Sequence, residues 1–575
     1  MNDKFRENIY ERERKLSRFT VADQVTAFLE EKGVSGCFQL SGGMIAYLAD
    51  SISKSSSLKL INLKHEQHAG FAAEGVTRRF GTPSVALATS GPGATNLITP
   101  IASCFFDSSP VIFITGQVNS AEIRTNPLQR QNGFQELEIA ALVAPIVKFS
   151  AVILSPRDVR PVLTEAWDAA TDGRPGPVLI DIPIDVQQMD ARDSILATSL
   201  FPSITREPDP HLNLLANLIE DSHSPLILAG AGIRLSKSID AFRKFVEKTQ
   251  IPVVWSLMAK DYLPTDHPLN FGMIGSYGNR CANRALSSAD LLIVLGSRLD
   301  VRQTGPSISD FASNKKIFRV DIDAAELSGK VKADYQVECG LAEFFERAKT
   351  PVNPFNSGPQ QEVFQDCQRT NLVANEQELK SDLSPDLIMK DIASIETEAE
   401  TFVVDVGQHQ MWAAQSLPLR EGQTFITSGG LGAMGFAIPA AIGIASVSES
   451  RVVAIVGDGG AQFSIAELET IRSLDLNIGI YILNNEQHGM VAQFQEEYLD
   501  SQFVGTRQGY SAPNFAAVAE SFGIKSARVG GHARLIKNKF PSTEEKKRAT
   551  LVEIMVDHRF KALPKLGGKT RLGDL

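Results

Sequence analysis

The chain has 575 residues, enough for about three or four domains on length alone. With 43% hydrophobic residues, 22% charged residues and a net charge of −10, it has the make-up of a soluble globular enzyme. That balance argues against a disordered chain and against a nucleic-acid binder, which would need a basic face.

In chain order, the charged first residues "MNDKFRENIYERERKLSRF" lack the apolar core of a secretory signal, so residues 1–16 read as an N-terminal extension. No apolar run reaches bilayer-spanning length, so no membrane partner is expected and the expected location is the cytoplasm. Residues 17–190 carry strand-like runs at "GCFQL", "LKLINL", "SVALATS", "PVIFIT" and "PVLIDIP", separated by amphipathic segments. A second such run fills 205–350, with strands at "SPLILAGAG", "IPVVW", "DLLIVLGSR" and "KIFRVDID". Residues 351–384 turn polar and read as an exposed linker carrying a helix. A third run, 385–560, starts at "TFVVDVG", and 561–575 reads as a surface tail without core periodicity. Strands alternating with helices predict α/β layers: three doubly wound parallel-sheet domains. Cys37, Cys104, Cys281, Cys339 and Cys367 are widely spaced with no CxxC pair, and are expected to be reduced thiols.

The third run holds "GDGGAQFSIAELETIRSLDLNIGIYILNN", from Gly457 to Asn485. A β-branched run precedes it, apolar residues at helical spacing fill its middle, and "IGIYIL" closes it as a second buried strand. A right-handed crossover of this kind sets the two strand ends side by side and brings Asp458 to the paired asparagines. One carboxylate with amide oxygens at strand ends suits a magnesium ion that takes the rest of its shell from phosphates and water. On the short motif alone, a plain turn with helix-capping asparagines fits equally well. The rest of the chain decides.

GDG, twenty-four residues and then NN resembles the cofactor fingerprint of the thiamine diphosphate (ThDP) enzymes. Within that superfamily the chain is similar to acetolactate synthase catalytic subunits over nearly its whole length. The resemblance is carried by "KHEQHAGFAAEG", "TSGPGATNL", "ITGQV", "FQE", "DGRPGPVLIDIP", "GSRLDVRQTG", "VGQHQMWAAQ", "SGGLGAMGF" and "NNEQHGMVAQF". It implies pyrimidine-binding, central FAD-type and diphosphate-binding domains. It places magnesium on Asp458, Asn485 and the main-chain oxygen of Gln487. Gly407, Gln408, His409, Gly459 and Gly460 are implied as diphosphate contacts, with Gly432, Gly489 and Met490 as further cofactor contacts. Met434 is implied as the apolar wedge that bends ThDP, and Glu66 as the acid that hydrogen-bonds the pyrimidine ring. Gln117, Phe134 and Gln135 match substrate-pocket positions. His68 departs from the pattern, which commonly has a small residue there.

"LAGAG" after a strand lacks a full dinucleotide fingerprint. FAD, in a structural role, is implied by resemblance at Arg174, Gly230, Gly232, Met273, Asp300, Arg302 and Asp321, with Leu341 as a departure from an expected acid. The implied reaction is decarboxylation of pyruvate and transfer of the acetyl unit, as a hydroxyethyl carbanion, to a second carbonyl compound. With pyruvate as acceptor the product is 2-acetolactate, and Arg298 is implied to meet the acceptor carboxylate. Phe494 stands where acetolactate synthases commonly carry tryptophan against the extra methyl of 2-ketobutyrate. The competing readings are a carboligase for aldehyde, ketone or ketosugar acceptors, a flavin-coupled pyruvate oxidase and a non-catalytic cofactor-binding subunit. The resemblance also implies a homodimer or homotetramer with shared active sites, and leaves room for a regulatory subunit.

Overall fold

The computed structural model describes residues 19–192, 209–367, 384–530 and 548–565. The expected N-terminal extension therefore lies outside the described residues, as do 368–383 of the linker and most of the tail.

The described chain forms three six-stranded sheets in which every strand pair is parallel. The first sheet holds β1 (Gly36–Gln39), β2 (Lys59–Asn62), β3 (Val85–Ala88), β4 (Ile112–Gln117), β5 (Phe149–Val152) and β6 (Val178–Pro183). Its order is β2-β1-β3-β4-β6-β5. The second holds β7 (Pro225–Ala229), β8 (Val253–Trp255), β9 (Asn270–Met273), β10 (Leu291–Leu295), β11 (Lys316–Asp321) and β12 (Tyr335–Glu338), ordered β12-β11-β10-β7-β8-β9. The third holds β13 (Ala399–Val404), β14 (Thr424–Thr427), β15 (Arg451–Gly457), β16 (Ile478–Asn484), β17 (Lys525–Gly530) and β18 (Thr550–Met555), ordered β14-β13-β15-β16-β18-β17.

These orders locate the crevices. The first and third sheets share one topology, with the strand order reversing between β1 and β3 and between β13 and β15. The second sheet has the 3-2-1-4-5-6 order of dinucleotide folds, with its switch between β7 and β10. Ligands in open parallel sheets bind at such switch points, beyond the carboxyl ends of the strands.

The buried strands were legible as apolar runs because both faces of a parallel sheet are covered. The runs quoted above for the first sheet are β1, β2, β3, β4 and β6. They omit β5, β9, β12, β14 and β17, which all lie at sheet edges, and β18. An edge strand is flanked on one side only, and β5, with no fully buried residue, carries no continuous apolar signal.

The first and third sheets meet through two helices, Glu66–Phe80 and Ala437–Val447. Their backbones approach closely: a Cβ on Gly443 would lie 2.2 Å from the Ala72 carbonyl oxygen, and one on Gly75 would lie 2.7 Å from that of Ala440. Phe71 and Phe436 pack edge to face across the same seam at 5.4 Å.

Three expectations need correction. Cys281 and Cys367 are joined by a disulfide, with Cα atoms 5.8 Å apart, while Cys37, Cys104 and Cys339 are free and buried. The two are 86 residues apart in sequence, so spacing could not show the pairing. The linker was expected to be exposed, but its helical part over 358–367 lies against the second sheet, where Phe364 stacks on Phe271 at 4.1 Å. The tail's first residues are likewise docked: Ala562 is fully buried and exchanges two hydrogen bonds with the Gln493 side chain. Among the described residues no helix is long and apolar enough to cross a membrane.

Candidate active site

β15 and β16 pair in register from Val452 with Ile478 to Gly457 with Leu483, so their ends emerge together. Asp458 follows the first and Asn484-Asn485 end the second. Asp458 is buried, which raises its carboxyl to about 6. It accepts hydrogen bonds from the Gln487 backbone and, at 2.8 Å, from the Tyr510 hydroxyl. Asn485 donates its Nδ2 to Gln408 Oε1 at 3.0 Å, leaving the amide oxygen for another partner. Gln487 spends its side chain on the His558 carbonyl and on Arg507, so its main-chain oxygen is the remaining donor atom. A carboxylate, an amide oxygen and a main-chain oxygen are a hard donor set suited to magnesium. Among the described residues there is no cluster of three His, Cys, Asp or Glu that would favour a softer metal.

The neighbouring strand end supplies the rest of a diphosphate cradle. The helix Gln408–Ser416 follows β13, with Gly407 at its cap and His409 in its first turn. His409 is fully buried, its Nε2 has no partner, and burial lowers the ring to about 3. An anionic oxygen beside this ring would satisfy Nε2 and favour the second ring proton. Gly459 sits under Met434 and His488, where a Cβ would come within 3.0 Å of both side chains. Met434 rides on a loop with positive φ at Gly432 (72°) and Gly435 (79°). A cavity of about 290 Å³ is lined by Gly459, Gln462, Phe463, His488, Gly509, Tyr510 and Ser511.

Two carboxylates that sequence reasoning missed hold this loop. Asp405, raised to about 7 by burial, accepts the Gly435 and Val406 amides. Asp107, from the first sheet's side, accepts the Gly429 and Gly430 amides at 3.0 and 2.6 Å and pairs with Arg78. Tyr510 was missed as well. None of the three belongs to a motif, so the sequence carried no signal for them.

Glu66 opens the helix Glu66–Phe80 at the carboxyl end of β2, is buried, and accepts from Asn96 Nδ2 at 2.9 Å. Its Oε1 faces Gly93 of the turn after β3, and Gly91 of that turn touches Gln135, whose backbone is left-handed at φ 68°. Glu66, this glycine turn and Gln135 thus converge at one end of the first sheet, with Phe134 exposed beside them. Gln117 does not reach outward: both ends of its carboxamide are engaged by Leu137, Asp181 and Val118. No residue of the first sheet lines the cavity beside Asp458. His68 faces the third sheet, with Nδ1 2.7 Å from Glu467.

The second sheet holds its own cavity, about 330 Å³, at the β7/β10 switch point. Arg174, Gly232, Met273, Asp300, Arg302 and Asp321 line it, as expected, together with Leu341. Gly230 stands behind the wall, where a Cβ would lie 2.1 Å from the Gly296 carbonyl oxygen. Arg298, expected at the acceptor, lines this same cavity and donates to the Phe106 carbonyl. Arg174 pairs with Asp323 and Glu326 at the rim. Phe494 lies on the helix Gly489–Tyr498, half-exposed and 4.8 Å from Tyr498. Met490, one residue into that helix, is partly buried.

Three family models match the three sheets. The N-terminal TPP binding domain of thiamine pyrophosphate enzymes covers residues 19–142, their central domain 212–348 and their C-terminal TPP binding domain 405–554. The acetolactate synthase large subunit of Lactococcus lactis is 36% identical over 96% of this chain and 95% of its own length. The isozyme 1 large subunit of Escherichia coli is 35% identical over 90% of both chains. A chloroplastic acetolactate synthase of Arabidopsis thaliana is 35% identical over 94% of this chain and 82% of its own. With identity at that level along nearly all of its length, the chain belongs to the acetolactate synthase family of thiamine pyrophosphate enzymes.

Proposed function

We propose that this chain joins two molecules of pyruvate into 2-acetolactate with loss of carbon dioxide. The cofactors of the enzyme class are ThDP, magnesium and FAD. The observation that carries the proposal is the convergence of Asp458, Asn485 and the Gln487 main chain at adjoining strand ends, with Met434 over the neighbouring Gly459, in a chain similar throughout to acetolactate synthases. ThDP supplies a nucleophilic carbon and an electron sink for the anion left by decarboxylation. The C1–C2 bond of the first pyruvate breaks, and carbon dioxide leaves. The electron pair left on C2 then forms the new bond to the second pyruvate's carbonyl carbon, whose oxygen takes up a proton.

The protein's part is binding, orientation and proton placement. Asp458, Asn485 and the Gln487 main chain hold magnesium. Gly459, Gly460, Gly407, Gln408 and His409 face the diphosphate, where backbone amides can approach it. Gly432 and Gly435 shape the loop that presents Met434, with Gly489 and Met490 across the cradle. Glu66 holds a proton at a pyrimidine ring nitrogen, Gln135 orients a substrate carbonyl, Phe134 shapes the pocket, and Gln117, its carboxamide turned inward, braces it from behind. Arg298, beside the flavin cavity, meets the acceptor carboxylate with a planar guanidinium. Arg174, Gly230, Gly232, Met273, Asp300, Arg302 and Asp321 form the FAD site, which no step of carboligation needs for redox work.

The domain limits we adopt are 17–190, 205–350 and 385–560. The cavity beside Asp458 takes no lining residue from the first sheet, which supports a homodimer whose sites draw Glu66 from one subunit and Asp458 from the other, or a tetramer of such pairs. Relatives named as large subunits support a smaller regulatory partner, and the proposed setting is the cytoplasm. A second reading rests on Phe494: its half-exposed ring leaves room that suits a bulkier aldehyde or ketone acceptor.

Mass spectrometry of products from pyruvate alone, then with 2-ketobutyrate or aldehydes in competition, tests both readings. ThDP-dependent formation of 2-acetolactate is the expected result. Preferential coupling to an added aldehyde would favour the second reading, and no carbon dioxide release would overturn both.

A further inference from the structure

One buried carboxylate ties the turn that delivers Glu66 to the other cofactor-binding sheet. Glu467 opens the helix Glu467–Ser473 in the crossover between β15 and β16, and its side chain has no exposure. Its Oε1 accepts from the Lys64 backbone at 2.8 Å and from His68 Nδ1 at 2.7 Å. Its Oε2 accepts from the Thr470 hydroxyl at 2.7 Å. Lys64 and His68 flank Glu66 by two residues on each side. Between them His65 caps the helix, its Nδ1 accepting from the Gln67 amide, with its ring 5.4 Å from that of His68.

We infer that His68 and Glu467 are positioning residues which set where Glu66 stands relative to the cofactor. The inference deepens the proposed function and rests on its reading of Glu66 as the group at the pyrimidine. The physical reason is that a fully buried carboxylate must keep its donors. Two of the three come from the Glu66 turn, so the carboxylate can satisfy itself only with that turn in one place. A small side chain at position 68, as the family resemblance suggested, offers no donor and leaves the carboxylate with one interdomain bond. Orientation is where such a contact acts on rate, since a shift of about 1 Å in a reacting group can lower it about 100-fold.

The test uses the full-length protein and three variants. His68→Asn keeps a donor on Cγ near the place of Nδ1, His68→Gln moves the donor one methylene outward, and His68→Leu removes it while keeping bulk. Calorimetry should find ThDP affinity within about threefold of wild type in all of them, because the diphosphate contacts lie on the other sheet. Amide hydrogen exchange of the peptide covering 58–68, measured without cofactor, should speed up in His68→Leu and return to wild type in His68→Asn. Exchange of the cofactor's thiazolium C2 proton in D2O, read by NMR without substrate, should fall about 10- to 100-fold in His68→Leu. It should be largely restored in His68→Asn and intermediate in His68→Gln. Unchanged C2 exchange in His68→Leu, or a His68→Asn variant as slow as His68→Leu, overturns the inference. If His68→Leu fails to fold, the contrast between His68→Asn and His68→Gln decides, and equal rates in those two overturn it. Wild-type protein that binds no ThDP would instead sink the reading of the site itself.

Discussion

Glu66 sits buried at the start of a helix with one oxygen on Asn96 and the other facing the glycine turn after β3. Glu66→Gln preserves an acceptor for Asn96, so the fold and ThDP binding should survive. Turnover should fall by about two to four orders of magnitude, the span expected when acid–base help is removed. Steady-state rates alongside calorimetric ThDP affinity check this, and near-normal turnover would reject the role. Phe494 is a matter of specificity. Its ring is half-exposed and leans on Tyr498, so the wild type should show little preference between pyruvate and 2-ketobutyrate as acceptor. Phe494→Trp should raise the share of 2-aceto-2-hydroxybutyrate, because one methylene in an apolar pocket is worth about 1–3 kcal/mol. Equal-concentration competition gives the ratio. A wild type already strongly biased to 2-ketobutyrate would defeat the assignment.

Helix contacts set the geometry between the first and third sheets. The seam of Glu66–Phe80 against Ala437–Val447 works because two glycines let the backbones touch. Gly443→Ala should lower stability by about 1–3 kcal/mol through overpacking, read as a shift in the urea midpoint. Gly340→Ala, with nothing within 4 Å of its new Cβ, should change stability by no more than about 0.5 kcal/mol. A second contact, between the second and third sheets, is sensitive to pH. Lys260 is buried with its Nζ on the Ala414 carbonyl, and burial lowers it from 10.5 to about 7. Between those values the unfolded chain binds the extra proton, so this group's contribution to stability rises with pH across that window. Lys260→Met removes the contribution. Its melting temperature relative to wild type should be highest at or below pH 7 and fall as pH approaches 10. A difference independent of pH would show that Lys260 is not held neutral.

At the scale of the whole molecule, the homodimer proposed above takes Glu66 from one subunit and Asp458 from the other at each site. Glu66→Gln and Asp458→Ala should each be nearly inactive, the second through loss of magnesium-dependent ThDP binding. Refolding an equal mixture of the two should restore about a quarter of wild-type activity, because half of the dimers are mixed and each mixed dimer has one intact site. A mixture no more active than its parents would place both residues in one subunit's site. The three-sheet layout was legible early, because parallel strands covered on both faces leave near-continuous apolar runs. Edge strands such as β5 and β9 were not, since half-covered strands need no such run.

Sequence by itself determined which side chains stand together at the strand ends. Asp458 and Asn485 are separated by one crossover, and the handedness of that connection leaves them a single arrangement, side by side. The placement of Glu66 after β2 was legible too, because it follows a single apolar run directly. Tertiary structure alone decided what depends on two distant segments meeting. Asp107 and Asp405 reach one loop from different sheets, His68 finds Glu467 across a domain seam, and Cys281 meets Cys367. No local periodicity encodes such pairs. The carboxylate contacts exist because a buried polar group must find a partner wherever the packed sheets leave one, and the disulfide because packing brings two thiols within bonding reach.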